Sequence, residues 1–214
     1  MEGNNMGEEI TMEGICCGLR VGDTVPDFKL TTYEPATGGF GEVSLEALKA
    51  QGKWTVLVFY PADFTFVCAT EFEALAEKYD AFKKAGAEVI TVSTDTQFTH
   101  LAWQRDEKSL KNVKYPMGAD ANAAVSRLFN VYNECTGLDF RGSFIISPDG
   151  VLLNAEVNFY NLGRNMDELL RKVQANAYLA KHGEQACPAK WGKEGDKTLT
   201  PGADLVGKVF EALQ

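Results

Sequence analysis

The chain has 214 residues, enough for one domain with a full core and a little short for two. Hydrophobic residues make up 45% of it and charged ones 24%, an ordinary globular composition. A net charge of −9, with no basic cluster, argues against binding to nucleic acid or to anionic membranes.

Residues 1–18 read as a polar, glycine-containing N-terminal arm. Glu2, Glu8, Glu9 and Glu13 stand where a signal peptide carries basic residues, and no apolar stretch follows them. No segment approaches the length of a membrane span, so the expected location is cytoplasmic. "DFKLTTYEPATGGFGEVSLEAL" reads as a strand, a glycine-rich turn and a second short strand. Lys53–Pro61, "KWTVLVFYP", is a continuous apolar run, the pattern of a strand buried on both faces. Phe72, Leu75, Tyr79 and Phe82 then recur at helical spacing until Gly86. Ala87–Thr94 is a second buried strand. Strand, helix, strand in this order implies a right-handed crossover and a parallel pair.

A further helix is expected over roughly 97–110 and a shorter one over 122–129. "RGSFIIS" and "VLLNAEVNF", joined by "PDG", read as an antiparallel hairpin. An amphipathic helix follows from about Asn165 to His182. Residues 183–214 hold five glycines and two prolines, with weak periodicity, and read as a C-terminal arm. The folded domain is thus expected over 19–182. The order β-α-β, helices, β-β-α is that of a thioredoxin-like α/β fold with a central mixed sheet and an N-terminal hairpin extension.

Five cysteines, Cys16, Cys17, Cys68, Cys135 and Cys187, are odd in number and widely spaced, which does not suggest a cross-linked secreted scaffold. With two histidines and no C-x-x-C pair, a zinc site is not expected. Cys68 falls where the first buried strand gives way to a helix. There it faces unpaired backbone N–H groups and the positive end of the helix dipole, and both favour the thiolate. A dithiol oxidoreductase would place a second cysteine at position 65, but Thr65 stands there. A buried structural cysteine fits the same position about equally well on this evidence.

The flanking residues separate the two. "YPADFTFVCATE" carries Pro61, Thr65 and Cys68 in the pattern P-x-x-x-T-x-x-C, which resembles the active-site motif of the peroxiredoxins. "RGSFIISPDG" is similar to their second block, and "STDTQFTHLAW" and "ACPAKW" are similar to the typical two-cysteine, alkyl hydroperoxide reductase C branch. The resemblance runs from about Leu19 to near the C-terminus.

It implies a thiol-dependent peroxidase that reduces hydrogen peroxide and organic hydroperoxides. Cys68 is then the peroxidatic cysteine, oxidised to a sulfenic acid. Thr65 bonds the thiolate and the incoming peroxide, Arg141 stabilises the sulfur and the leaving oxygen, and Pro61 shields the sulfur from water. Glu71 orients the arginines, although a carboxylate early in a helix is also favoured by the dipole alone. Cys187 is implied as the resolving cysteine, contributed by the other subunit of a homodimer, with five dimers forming a decamer. Trp191 is expected to pack the arm down in the reduced state. Arg164 matches a family arginine near the active site, with a surface charge at the helix start as the plainer alternative. His100 and Trp103, at i and i+3, read as helix packing that in the family borders the site and the subunit contact. The strand in "GVLLNAEVNFYNLG" is a candidate subunit edge.

Three features depart from the family pattern. Ala69 replaces the proline that usually follows the peroxidatic cysteine, with little expected effect on the helix. Cys16, Cys17 and Cys135 belong to none of the motifs and read as incidental thiols. The Gly-Gly-Leu-Gly and terminal Tyr-Phe elements of sensitive members are absent, which implies resistance to overoxidation. No cofactor motif appears, so electrons are expected from a partner, either a flavoprotein disulfide reductase or a thioredoxin-like protein. A protein thiol–disulfide oxidoreductase and a holdase chaperone on the same fold are the competing readings.

Overall fold

The computed structural model describes residues 18–214. Most of the N-terminal arm, including Cys16 and Cys17, lies outside the described residues.

One seven-stranded mixed sheet organises the chain, in the order β2 (Gly39–Ser44), β1 (Lys29–Glu34), β5 (Met117–Ala119), β4 (Ala87–Ser93), β3 (Trp54–Phe59), β8 (Arg141–Ile146), β9 (Leu152–Asn158). The N-terminal hairpin is β1 (Lys29–Glu34) and β2 (Gly39–Ser44), followed by the short helix α1 (Leu45–Ala50). Ser44 caps α1 by accepting from the Ala47 N–H. The expected crossover unit is β3 (Trp54–Phe59), α2 (Phe66–Lys84) and β4 (Ala87–Ser93). β3 and β4 pair in parallel, with Val56 opposite Val89 and Phe59 opposite Val92.

Every residue of β3 and β4 is buried, which explains their unbroken apolar runs. Alternate side chains feed two cores. Val56, Val58 and Val89 pack toward α2 and its neighbours Trp103 and Tyr115, whereas Leu57, Phe59, Ile90 and Val92 pack on the opposite face with Leu45 and Leu128.

The helix expected over 97–110 is broken in two: α3 (Gln97–Asp106) and a 3₁₀ turn at Lys108–Leu110. Glu107 between them is extended, and its carboxylate accepts from the Ser109 N–H. β5 (Met117–Ala119) pairs with β4 and β1, and was not foreseen. After α4 (Ala124–Leu128) comes a small hairpin, β6 (Tyr132–Asn133) and β7 (Leu138–Asp139), also unforeseen. β8 (Arg141–Ile146) and β9 (Leu152–Asn158) form the expected antiparallel pair, and β9 is the sheet edge. Their turn closes with the Gly150 N–H on the Ser147 carbonyl, Pro148 and Asp149 filling the middle.

Helix α5 (Met166–Leu179) begins at Asn165, whose side chain accepts from the N–H groups of Asp167 and Glu168. The C-terminal segment folds back: Ala186 and Leu199 bridge, and α6 (Val209–Leu213) ends the chain. Trp191 is buried, its ring 5.7 Å from that of Tyr178 on α5.

Candidate active site

The chain leaves β3 at the centre of the sheet, crosses the loop 60–65 and enters α2 at Phe66. Thr65, extended, is the residue before the helix, and Cys68 is its third residue. Helix α2 is nineteen residues long, and its N-terminal N–H groups and dipole point at the sulfur's surroundings. Cys68 itself is fully buried.

Across from it, the first residue of β8 brings in Arg141. Arg141 Nη1 donates to Cys68 Sγ at 3.3 Å and to Glu71 Oε2 at 2.8 Å, one N–H for each. Its Nε donates to the Tyr160 carbonyl at 2.7 Å, which fixes the plane of the guanidinium. The next residue is glycine for a steric reason. A Cβ on Gly142 would meet Val131 and Phe144 side chains at 2.7 Å.

Glu71 is the hub. It lies on α2 beyond the first turn, so the helix dipole does not account for it. Its Oε1 accepts from Arg164 N at 2.8 Å and Arg164 Nε at 2.9 Å, and its Oε2 accepts from Arg164 Nη2 at 2.7 Å. Burial raises the Glu71 carboxyl, but the bonds and charge of Arg164, then the charge of Arg141, hold it below the usual carboxylate range. Arg164 is buried rather than a surface charge, and its Nη1 also donates to the Gly142 carbonyl.

Pro61 is buried in the loop. The Thr65 hydroxyl donates to the Ala62 carbonyl at 2.8 Å, which leaves its lone pairs to accept. His100 and Trp103 are both buried on α3, as packing predicts, yet His100 also contacts Asp63, a residue the sequence did not single out.

Cys187 is half-buried in the C-terminal segment. Burial pushes its thiol up against the pull of Arg171, whose Nη1 donates to the Trp191 carbonyl. Cys135 is exposed on the β6–β7 hairpin. Among the described residues, no cluster of histidine, cysteine and carboxylate side chains could hold a metal ion.

The family model described as "AhpC/TSA family" matches residues 21–155, more than half of the chain. The chain belongs to the peroxiredoxin, or AhpC/TSA, family. Among AhpC/TSA relatives, an alkyl hydroperoxide reductase C of Ferdinandcohnia aciditolerans is 49% identical over 170 residues, 79% of this chain and 99% of that protein. One from Staphylococcus aureus is 45% identical over 182 residues, 85% of this chain and 95% of the relative. The solved structure of Enterococcus faecalis AhpC superposes with a TM-score of 0.75 at 39% identity, covering 80% of this chain and all of that one. The reduced 2-Cys peroxiredoxin of Plasmodium vivax gives a TM-score of 0.81 at 32% identity, covering 88% of this chain and 99% of that one.

Proposed function

We propose that Cys68 carries the thiol-dependent peroxidase chemistry of this peroxiredoxin. The observation behind the assignment is the Arg141 guanidinium, held by Glu71 and Tyr160 with one N–H on the Cys68 sulfur.

The Cys68 thiolate attacks the nearer oxygen of a hydroperoxide. An S–O bond forms as the O–O bond breaks, and the departing oxygen takes a proton and leaves as water or an alcohol. Cys68 becomes a sulfenic acid. Arg141, desolvated and fixed in plane, stabilises the anionic sulfur and the charge growing on the departing oxygen. Thr65, its own proton given to Ala62, accepts from the peroxide O–H and aligns it. Pro61 keeps water from the sulfur, and Glu71 orients Arg141.

Cys187 of a partner subunit then attacks the sulfenic sulfur, an S–S bond forms and water leaves. A dithiol reductase, flavoprotein or thioredoxin-like, returns both thiols by exchange. Residues 183–214 act as the arm that carries Cys187 on the domain 19–182, and the assembly is a homodimer that builds a decamer. The scattered cysteines suit a reducing cytoplasm.

Stopped-flow tryptophan fluorescence of the reduced protein with hydrogen peroxide tests the assignment. A fast phase that vanishes in Cys68→Ser is the expected result. A fast phase that survives in Cys68→Ser overturns it.

A further inference from the structure

Beneath the loop that leads into α2 lies a buried polar group that does not touch the sulfur. Tyr60 donates to Asp63 Oδ1 at 2.6 Å, and His100 Nδ1 lies 2.8 Å from Asp63 Oδ2. His100 Nε2 lies 3.2 Å from the Gly118 carbonyl, which only accepts, so Nε2 carries a hydrogen. Nδ1 and Asp63 then share one further proton. The pair is imidazolium with carboxylate or imidazole with carboxyl, and in either form the contact holds.

The other charged group facing Asp63 is Asp95, whose Oδ2 accepts from Asp63 N at 2.9 Å and from Ser93 Oγ at 2.8 Å. The remaining neighbours are aromatic, with Phe72 and Trp103 on the Tyr60 ring at 4.8 and 5.9 Å.

The next residue, Phe64, has φ of 56°, a left-handed conformation that a bulky side chain resists. Its ring leans on Trp103 but is half exposed, and Phe66 is 93% exposed. Within one protomer, burial therefore does little to hold the loop tip from outside. Asp63 opposes the strain from within: its side chain holds Tyr60 and His100 of α3, and its backbone N–H holds Asp95 beyond β4.

Cys68 is fully buried, so its sulfur cannot bond to a second cysteine until the first turn of α2 opens. We propose that Tyr60, Asp63 and His100 form a latch that keeps the strained loop and first turn closed over Cys68. The latch thereby sets how readily Cys68 passes from reaction with peroxide to disulfide formation. The inference rests on the assignment of Cys68 made above. These are positioning residues, since none contacts the reacting atoms.

The test resolves two steps in one stopped-flow experiment, oxidation of Cys68 by hydrogen peroxide and the later disulfide step. Mass spectrometry of Cys68 sulfinic acid at excess peroxide provides a third readout. Asp63→Ala is expected to slow oxidation and speed disulfide formation, changing their ratio about tenfold, as loss of a buried hydrogen bond does. It also yields less sulfinic acid. Asp63→Asn keeps an acceptor for Tyr60 and a donor for neutral His100, and restores the wild-type ratio. Tyr60→Phe keeps the ring and removes one hydroxyl, and moves the ratio the same way about threefold. If Asp63→Ala does not fold, Tyr60→Phe decides alone. Parallel slowing of both steps, no change in either, or failure of asparagine to rescue overturns the latch. Survival of the fast phase in Cys68→Ser instead overturns the assignment of Cys68, and the latch with it.

Discussion

Asp139 offers a stability measurement whose sign and size follow from geometry. It is fully buried at the end of β7, two residues before Arg141, and its Oδ1 has no hydrogen-bond partner. Its Oδ2 lies 2.8 Å from Ser126 Oγ, which lies 2.8 Å from Asp120 Oδ2 as well. One hydroxyl proton cannot serve two carboxylates. Asp120 is the better supplied with donors, because it also accepts from the N–H groups of Val125 and Ser126. Below about pH 7 Asp139 therefore carries a proton, which it can donate to Ser126.

Burial pushes the Asp139 carboxyl from 3.8 up to about 7, with the charges of Asp120 and Asp95 adding to it against the Ser126 hydroxyl. A raised carboxyl means that the folded state binds more protons than the unfolded one between those values. Its contribution to stability is complete below pH 3.8, falls through the window and is gone above about pH 7. Asp139→Asn is neutral at every pH and can donate to Ser126 as the protonated acid does. At pH 5 the variant should be modestly more stable than wild type. By pH 8 that advantage should grow by about 2–3 kcal/mol, the worth of roughly two pH units of linkage. Urea unfolding of both proteins at pH 5 and 8, at matched protomer concentration, measures the difference. A difference that stays flat with pH refutes the protonated Asp139.

Arg141→Lys keeps the charge but loses the planar fork that reaches Tyr160, Glu71 and Cys68 together. The rate constant for the fast peroxide phase should fall roughly 10²–10³-fold while the fold is retained by circular dichroism. Glu71→Gln leaves two buried guanidiniums without their anion and should cost about 3–5 kcal/mol in urea unfolding. Because the Glu71 carboxyl is depressed in the folded state, its stabilisation is present above its ordinary range near 4.5. It is lost as pH falls through the depressed value, so the gap between wild type and Glu71→Gln should close in acid. Cys187→Ser should keep the fast peroxide phase yet give no disulfide-linked dimer on non-reducing gels. Persistence of that dimer assigns the resolving role to another thiol.

Much of the frame was legible because it is written in period and punctuation. The runs in β3 and β4 announce strands buried on both faces, and Gly86 ends α2 where expected, at a φ of 80°. What escaped is what tertiary contact creates. β5 is three residues long and exists because β4 and β1 flank it. The β6–β7 hairpin is two residues a side, too short to show alternation. Around Cys68 the motif singled out Thr65, Arg141 and Glu71, which converge on one loop and helix turn. Arg164 read as either a site arginine or a surface charge, because only the fold shows that Glu71 faces it from 93 residues away. Asp63 gave no signal at all. A carboxylate in a loop becomes conspicuous only when a buried histidine from another helix meets it.

The carboxylate shared by two guanidiniums has an electrostatic consequence. Arg141 and Arg164 contribute two positive charges and Glu71 one negative, all buried. A thiolate at Cys68 brings this set to neutrality. A sulfenic acid at the same position is uncharged and leaves one positive charge sealed from water, an unfavourable state in a medium of low polarity. The closed turn is thus balanced for a thiolate and unbalanced for a sulfenic acid. On the role proposed for Cys68, oxidation removes the charge that balances the closed turn and so favours its opening.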